Sequence, residues 1–194
     1  TLFDGRNNLG AVSPQENGLP QTTLIPPSLE VPVSMGAFSV TTHAPVVPQG
    51  TDFGYFGGGN GPSPSVSTVD RIDYSNDTAT AVAKGPLSGA RYGMGATGNA
   101  SFGYFGGGRL TISTVDRIDY SNDTATAVAK GPLSAGRSYQ GATGNASFGY
   151  FGGGAPATKS TVNRIDYSND TATASPKGLL TVARTSLAAT GNPS

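Results

Sequence analysis

The stretch 67–108, STVDRIDYSNDTATAVAKGPLSGARYGMGATGNASFGYFGGG, recurs at 113–154 with five changes in 42 positions, all between Gly89 and Met94 of the first copy. A third copy, STVNRIDYSNDTATASPKGLLTVARTSLAATGNPS, covers 160–194. On matched residues the period is 46 from Asp73 to Asp119 and 47 from Asp119 to Asp166. Repeats of this length define their own architectures, because each unit buries its apolar face against its neighbours. The segment FGYFGGG also stands once upstream, at 53–59, where no full repeat precedes it. The third copy stops where its own FGYFGGG would follow. This phase predicts circular closure, with the first strand completing the last repeat and leaving no free sheet edge.

Within a repeat the elements are strands. The segment 100–105, ASFGYF, runs into Gly106, Gly107 and Gly108; Val115, Ile118 and Tyr120 alternate imperfectly along the next segment; ATAVA follows a Ser-Asn-Asp turn. A weaker fourth segment, Arg137 to Thr143, lies between the turn signals Gly131-Pro132 and Gly144-Asn145. No window has helical periodicity. Each repeat therefore reads as about four short strands, and the class is all-β. The glycine triplets predict a sharp backbone path or a close sheet-to-sheet approach, with a merely flexible glycine loop as the alternative.

Residues 1–52 differ in kind. Pro14, Pro20, Pro26, Pro27, Pro32, Pro45 and Pro48 are scattered among short apolar pieces. Proline restricts helix and central strand, so this part reads as an extended arm that orders against a partner, with a disordered linker, or one further strand of the array from Met35 to Val47, as the alternatives. The domain division is thus an arm over 1–52 and a three-repeat β domain over 53–194.

Composition excludes several functions. Twelve Lys plus Arg balance 12 Asp plus Glu without a basic tract, so nucleic acid is not an expected partner. No apolar run approaches 18 residues, and no membrane insertion is expected. The opening TLFDGRNNLG has no charged region followed by an apolar one, so no signal peptide is expected. There is no Cys, and any Ser-His-Asp triad or multi-His metal site would have to pass through the single His43. No catalytic residue and no cofactor is predicted.

Asp70, Asp73, Asn76 and Asp77 offer oxygen ligands of the type calcium takes, but the same residues are what a tight turn requires, and Asp70 becomes Asn163 in the third copy. No metal is predicted. Arg71, Arg117 and Arg164 sit beside these acids, which predicts an ion pair within each repeat. Asn76-Asp77-Thr78 and Asn99-Ala100-Ser101 fit a glycosylation pattern, yet read as turn asparagines. The copies diverge in their connectors, at 60–66, 109–112 and 155–159 and again at 89–94, 135–140 and 182–187. A fixed scaffold with changing loops is how a binding surface is built, although loops also drift freely. Tyr92, Met94, Arg109, Tyr139, Gln140 and Lys159 are the candidate ligand-binding residues.

The order FGYFGGG, STVDRIDYSNDTAT, KGPLSGAR, ATGN resembles the kelch repeat of β-propellers. Gly57-Gly58, Asp73, Pro86-Leu87 and Arg91 stand at the family's places, as do Gly106-Gly107, Asp119, Pro132-Leu133 and Arg137. The third copy keeps Gly152-Gly153, Asp166 and Arg184 but has Leu179-Leu180 for Pro-Leu, and the family's Trp is Thr or Ala throughout. The resemblance implies three near-identical four-stranded repeats in a closed propeller-like domain. Three repeats of this size also suit a β-trefoil or β-prism, and two chains pooling their repeats would reach six blades. The near-verbatim wording further resembles kelch-like structural proteins of marine bacteriophages, especially those infecting cyanobacteria. That likeness implies a non-enzymatic virion structural protein on a capsid or tail, made without a secretory signal and displayed at the virion surface. Its expected partners are other virion proteins through residues 1–52, further copies of itself, and a host surface glycan. The alternatives are a free carbohydrate-binding module or adhesin, or a kelch-type interaction adaptor.

Overall fold

The computed structural model describes residues 53–61 and 65–192. The arm over 1–52 and His43 lie outside them.

The first sheet holds β1 (Phe53–Asn60), β2 (Ser65–Asp73) and β3 (Val82–Lys84). The second holds β4 (Gly95–Gly98), β5 (Phe102–Gly106), β6 (Val115–Asp119) and β7 (Val128–Lys130) in that order. The third holds β8 (Gly141–Gly144), β9 (Phe148–Gly152), β10 (Val162–Asp166) and β11 (Ser175–Pro176), again in chain order. All neighbours are antiparallel, and the register repeats: Tyr55 faces Arg71, Tyr104 faces Arg117, Tyr150 faces Arg164.

Local chemistry sets the turns. Asp73, Asp119 and Asp166 each end a strand and accept from the backbone N–H two residues on, at Ser75, Ser121 and Ser168, which opens a 3-10 turn over Tyr-Ser-Asn. Asn99 and Asn145 cap the short hairpins between β4 and β5 and between β8 and β9, each accepting from two backbone N–H groups.

The core lies between sheets. Val69 and Leu87 of the first repeat pack on Phe105, Ile118 and Ala127 of the second. One repeat later, Tyr104, Val115 and Leu133 pack on Phe151, Ile165 and Ala174. Each large apolar side chain buried this way is worth about 1.5–3 kcal/mol. The glycine triplets make the approach possible. A Cβ on Gly57 would lie 2.9 Å from the Phe105 ring and one on Gly106 would lie 2.8 Å from Phe151, while Gly107 and Gly108 turn the chain with φ of 76° and 137°.

One expectation is corrected. The described residues form three separate sheets of three, four and four antiparallel strands, and no sheet is closed, so among these residues there is no closed propeller-like domain. The physical reason is strand supply. β1 pairs with β2 alone among the described residues, so the first sheet has three strands rather than four. Residues 187–191, which repeat the wording of β4 and β8, form no ladder with β1; they lie beside β8, where a Cβ on Gly191 would be 2.9 Å from the Gly144 carbonyl oxygen. The coarser expectation, a β-rich fold of repeated sheets, stands.

Candidate functional site

The connectors that vary between repeats meet at the junction of the first two repeats. The Arg109 backbone N–H donates to the Tyr92 carbonyl at 2.8 Å, and the Tyr139 N–H donates to the Gly93 carbonyl at 2.7 Å. These bonds bring three of the candidate side chains together. The Tyr92 and Tyr139 rings meet edge to face with centroids 6.5 Å apart, and the Arg109 guanidinium stands 5.6 Å from the Tyr92 centroid. Such contacts hold aromatic faces at fixed angles. Beside them Leu110 is 80% exposed, and Leu110, Thr111 and Tyr139 all have positive φ, at 71°, 58° and 56°. With Ser186 at 56° in the third copy's connector, four non-glycine residues of the varying connectors have left-handed backbone, which is uncommon and fixes the presented surface.

The other three candidates stand elsewhere. Gln140 is buried, its Nε2 donating to the Gly106 carbonyl at 2.6 Å. Met94 packs against the cluster around Val69 and Leu87. Lys159 bridges Arg184 through the backbone. Gln140 and Met94 hold the underside of the connectors, while Tyr92, Arg109 and Tyr139 form their outer side.

The acids divide their work differently from the sequence expectation. The ion pairs of Arg71 and Arg117 run between repeats, not within one. Asp123 accepts from the Tyr55 hydroxyl and from Arg71 at 2.9 Å each and lies 3.2 Å from Lys84 Nζ. Asp170 repeats this set with Tyr104, Arg117 and Lys130 at 2.9, 2.9 and 3.3 Å. Burial pushes Asp123 up, but the bonds from Tyr55 and Lys84 and the charges of Lys84 and Arg71 outweigh it and hold the carboxyl below its usual range. Burial, with the bond to Asp123, raises the Tyr55 phenol to about 12, and Tyr104 shifts the same way for the same reasons. A second latch lies deeper. Asp116 accepts from Ser88 N–H at 2.8 Å and from its hydroxyl at 2.7 Å, and lies 3.0 Å from Arg91. These latches escaped the sequence reading because a fixed period places equivalent residues without saying which neighbour each one faces. The signal was present in Asp77, Asp123 and Asp170, which recur at the end of each 3-10 turn, one turn beyond the Asp that opens it.

The space on the surface is shallow. One hollow of about 340 Å³ is lined by Tyr55, Phe56, Met94, Ala96, Phe105 and intervening glycines. Another, of about 410 Å³, lies among Asn99, Phe148, Asp166 and Tyr167. Among the described residues no three His, Cys, Asp or Glu stand together in a way that would hold a metal ion, and no helix is long and apolar enough to cross a membrane. No protein-family model matches the chain, and no curated protein matches its sequence, so the kelch likeness rests on the repeat wording alone.

Proposed function

We propose that this chain is a non-enzymatic structural protein of a bacteriophage virion, in which kelch-like repeats form a rigid display unit and residues 1–52 tie it to capsid or tail. One observation carries the reading: the latch of Tyr, Arg and Lys on a buried Asp is repeated residue for residue at both junctions, while the differences between copies collect in the connectors. A scaffold repeated to this degree with a changing rim suits a part whose work is to hold a surface outward. Many copies on a particle would bind through avidity without strong single sites. The test is to purify virions from the source on a density gradient and probe the fractions with an antibody to this chain. Co-migration with particles supports the proposal, and confinement to free protein overturns it.

A second reading has its own support. The exposed Tyr139 ring beside Tyr92 and Arg109 is a surface on which a sugar ring could stack, as a glycan-binding module or adhesin requires. A glycan array run with the wild type and Tyr139→Ala would separate the two readings: sugar binding lost in the variant favours the adhesin, with or without a particle.

A further inference from the structure

The two ends of the array carry the two halves of the contact that joins the sheets inside it. At each internal junction one repeat offers a rear face, with Tyr, Arg and Lys around a Gly-Pro-Leu turn, and the next offers a front face. That front face holds a Phe of the glycine-tract strand, a Tyr of the 3-10 turn, the latch Asp and a small Ala. On the first repeat no described residue covers the front face. Phe56 is 62% exposed where Phe105 and Phe151 are 5% and 0%, Tyr74 is 57% exposed, and Asp77 is exposed where Asp123 and Asp170 are buried.

Among the described residues the rear face of the third repeat is uncovered in the matching way. Lys177 is exposed where Lys84 and Lys130 are not, and Leu180 is only partly covered where Leu87 and Leu133 are buried. A Cβ on Gly85 or Gly131 would strike the backbone of the following repeat at Ala125 or Ala172, whereas around Gly178 there is nothing within 4 Å. The rear face is also ready for use. Arg164 stands 4.0 Å over the Phe148 ring, as Arg71 stands over Phe53 and Arg117 over Phe102, each at 4.0 Å. The guanidinium is thereby held where the other two meet their carboxylate.

We infer that the rear face of the third repeat binds the front face of the first repeat of a second copy, so that copies join end to end. Asp77 of the second copy enters between Tyr150, Arg164 and Lys177. Its Tyr74 ring stacks on Tyr150, as Tyr120 stacks on Tyr55 and Tyr167 on Tyr104 with centroids 4.8 Å apart. The Gly178 N–H donates to the Asp77 carbonyl and the Ala81 N–H to the Leu179 carbonyl, in the pattern of Gly85 on Asp123 and Ala127 on Pro86. The complementarity is of charge, shape and backbone bonding together, and the occupant is specified by the faces themselves. Because the contact joins two different faces of each copy, it propagates from copy to copy. It does not depend on where in a particle or cell the protein acts.

The experiment uses the full chain. Sedimentation velocity over rising concentration is expected to show species at whole multiples of the 19.5 kDa chain. Asp77→Arg spoils only the front face and Gly178→Ala only the rear, and each changes a position that is open in the single chain. Each variant alone is expected to associate at least about thirtyfold more weakly, as loss of a desolvated charge partner or a backbone clash implies. Mixed, they are expected to form a one-to-one pair, since one retains a sound rear face and the other a sound front. The inference is overturned if the wild type stays monomeric up to about 1 mM, if the variants associate like the wild type, or if the mixture gives no pair. A wild type that stays monomeric and is destabilised by Asp77→Arg would show that the chain's own residues fill these faces, and overturns it equally.

Discussion

Asn163 puts an amide where the second repeat buries a carboxylate, and the surroundings register the difference. Asp116 answers the charge of Arg91 at 3.0 Å. Asn163 accepts from Ser134 and Arg137 through Oδ1, but its Nδ2 is buried with no partner among the described residues. Arg137, 1% exposed, is left to bond carbonyls of Gly153 and Thr161, and burial pushes its guanidinium below its ordinary value. Asn163→Asp removes an orphaned donor and gives a charge already buried its partner. It is expected to raise stability by about 1–3 kcal/mol, read as a higher urea midpoint with unchanged slope. Acid acts on residues of the same kind. Asp73, Asp119 and Asp166 are held below the usual carboxylate range by hydrogen bonds from the Ser hydroxyl and backbone N–H that follow them, and Asp123 by its latch. A carboxyl depressed in the folded state contributes stability above its unfolded value of about 3.9, and that contribution disappears as pH falls through the folded one. Urea midpoints are therefore expected to be flat from neutral pH down to about 5 and to drop below about 4. The triple variant Asp73→Asn, Asp119→Asn, Asp166→Asn should flatten that drop.

At the scale of the element, close approach of one repeat's turn to the next makes glycine obligatory at some positions and indifferent at others. A Cβ on Gly131 would meet the carbonyl of Ala172, a backbone atom that cannot swing aside, whereas one on Gly89 would meet nothing within 4 Å. The second repeat already carries Ala135 at the place of Gly89. Gly131→Ala is expected to cost about 1–3 kcal/mol and Gly89→Ala less than about 0.5, compared by thermal unfolding at one pH. Of the elements, the two longer strands of each repeat were legible beforehand, whereas the third and fourth are shifted toward Val128–Lys130 and Gly141–Gly144. β5 and β6 stand where Phe102 to Gly106 and Val115 to Asp119 alternate, and the turn asparagines stand where the Gly-Asn and Ser-Asn wording put them. The pairing between repeats was not legible. Arg117 is two residues from Asp119 in sequence, yet it pairs with Asp170, 53 positions away, because the Asp119 carboxylate is occupied by the Ser121 N–H and hydroxyl while Asp170 of the next repeat stands within reach. In the candidate surface, Tyr92, Arg109 and Tyr139 could be named from variation between copies, but the burial of Gln140 could not, since it depends on which way the chain turns after Tyr139 with its φ of 56°.

For the whole molecule, the consequence of cores that lie only between neighbouring repeats is that stability is a sum of units and junctions. The second sheet takes part in both buried clusters, whereas the first and third take part in one each. Opening of an outer sheet breaks one junction; opening of the second breaks both. Native-state hydrogen exchange is therefore expected to find the slowest amides in β5 and β6 and faster ones in β2 and β10, although all four carry similar ladders. Asp170→Ala sharpens the test. It removes the acceptor shared by Tyr104, Arg117 and Lys130 and loosens one junction while leaving the set around Asp123 intact. With both cationic partners partly solvated, the expected cost is about 1–2 kcal/mol. In a nearest-neighbour array that cost belongs to the third sheet, so exchange at β9 and β10 should quicken by roughly five- to thirtyfold while β2 keeps its wild-type rate. Uniform quickening across all three sheets would mean that the array opens as one cooperative body and that the junctions are not its separable joints.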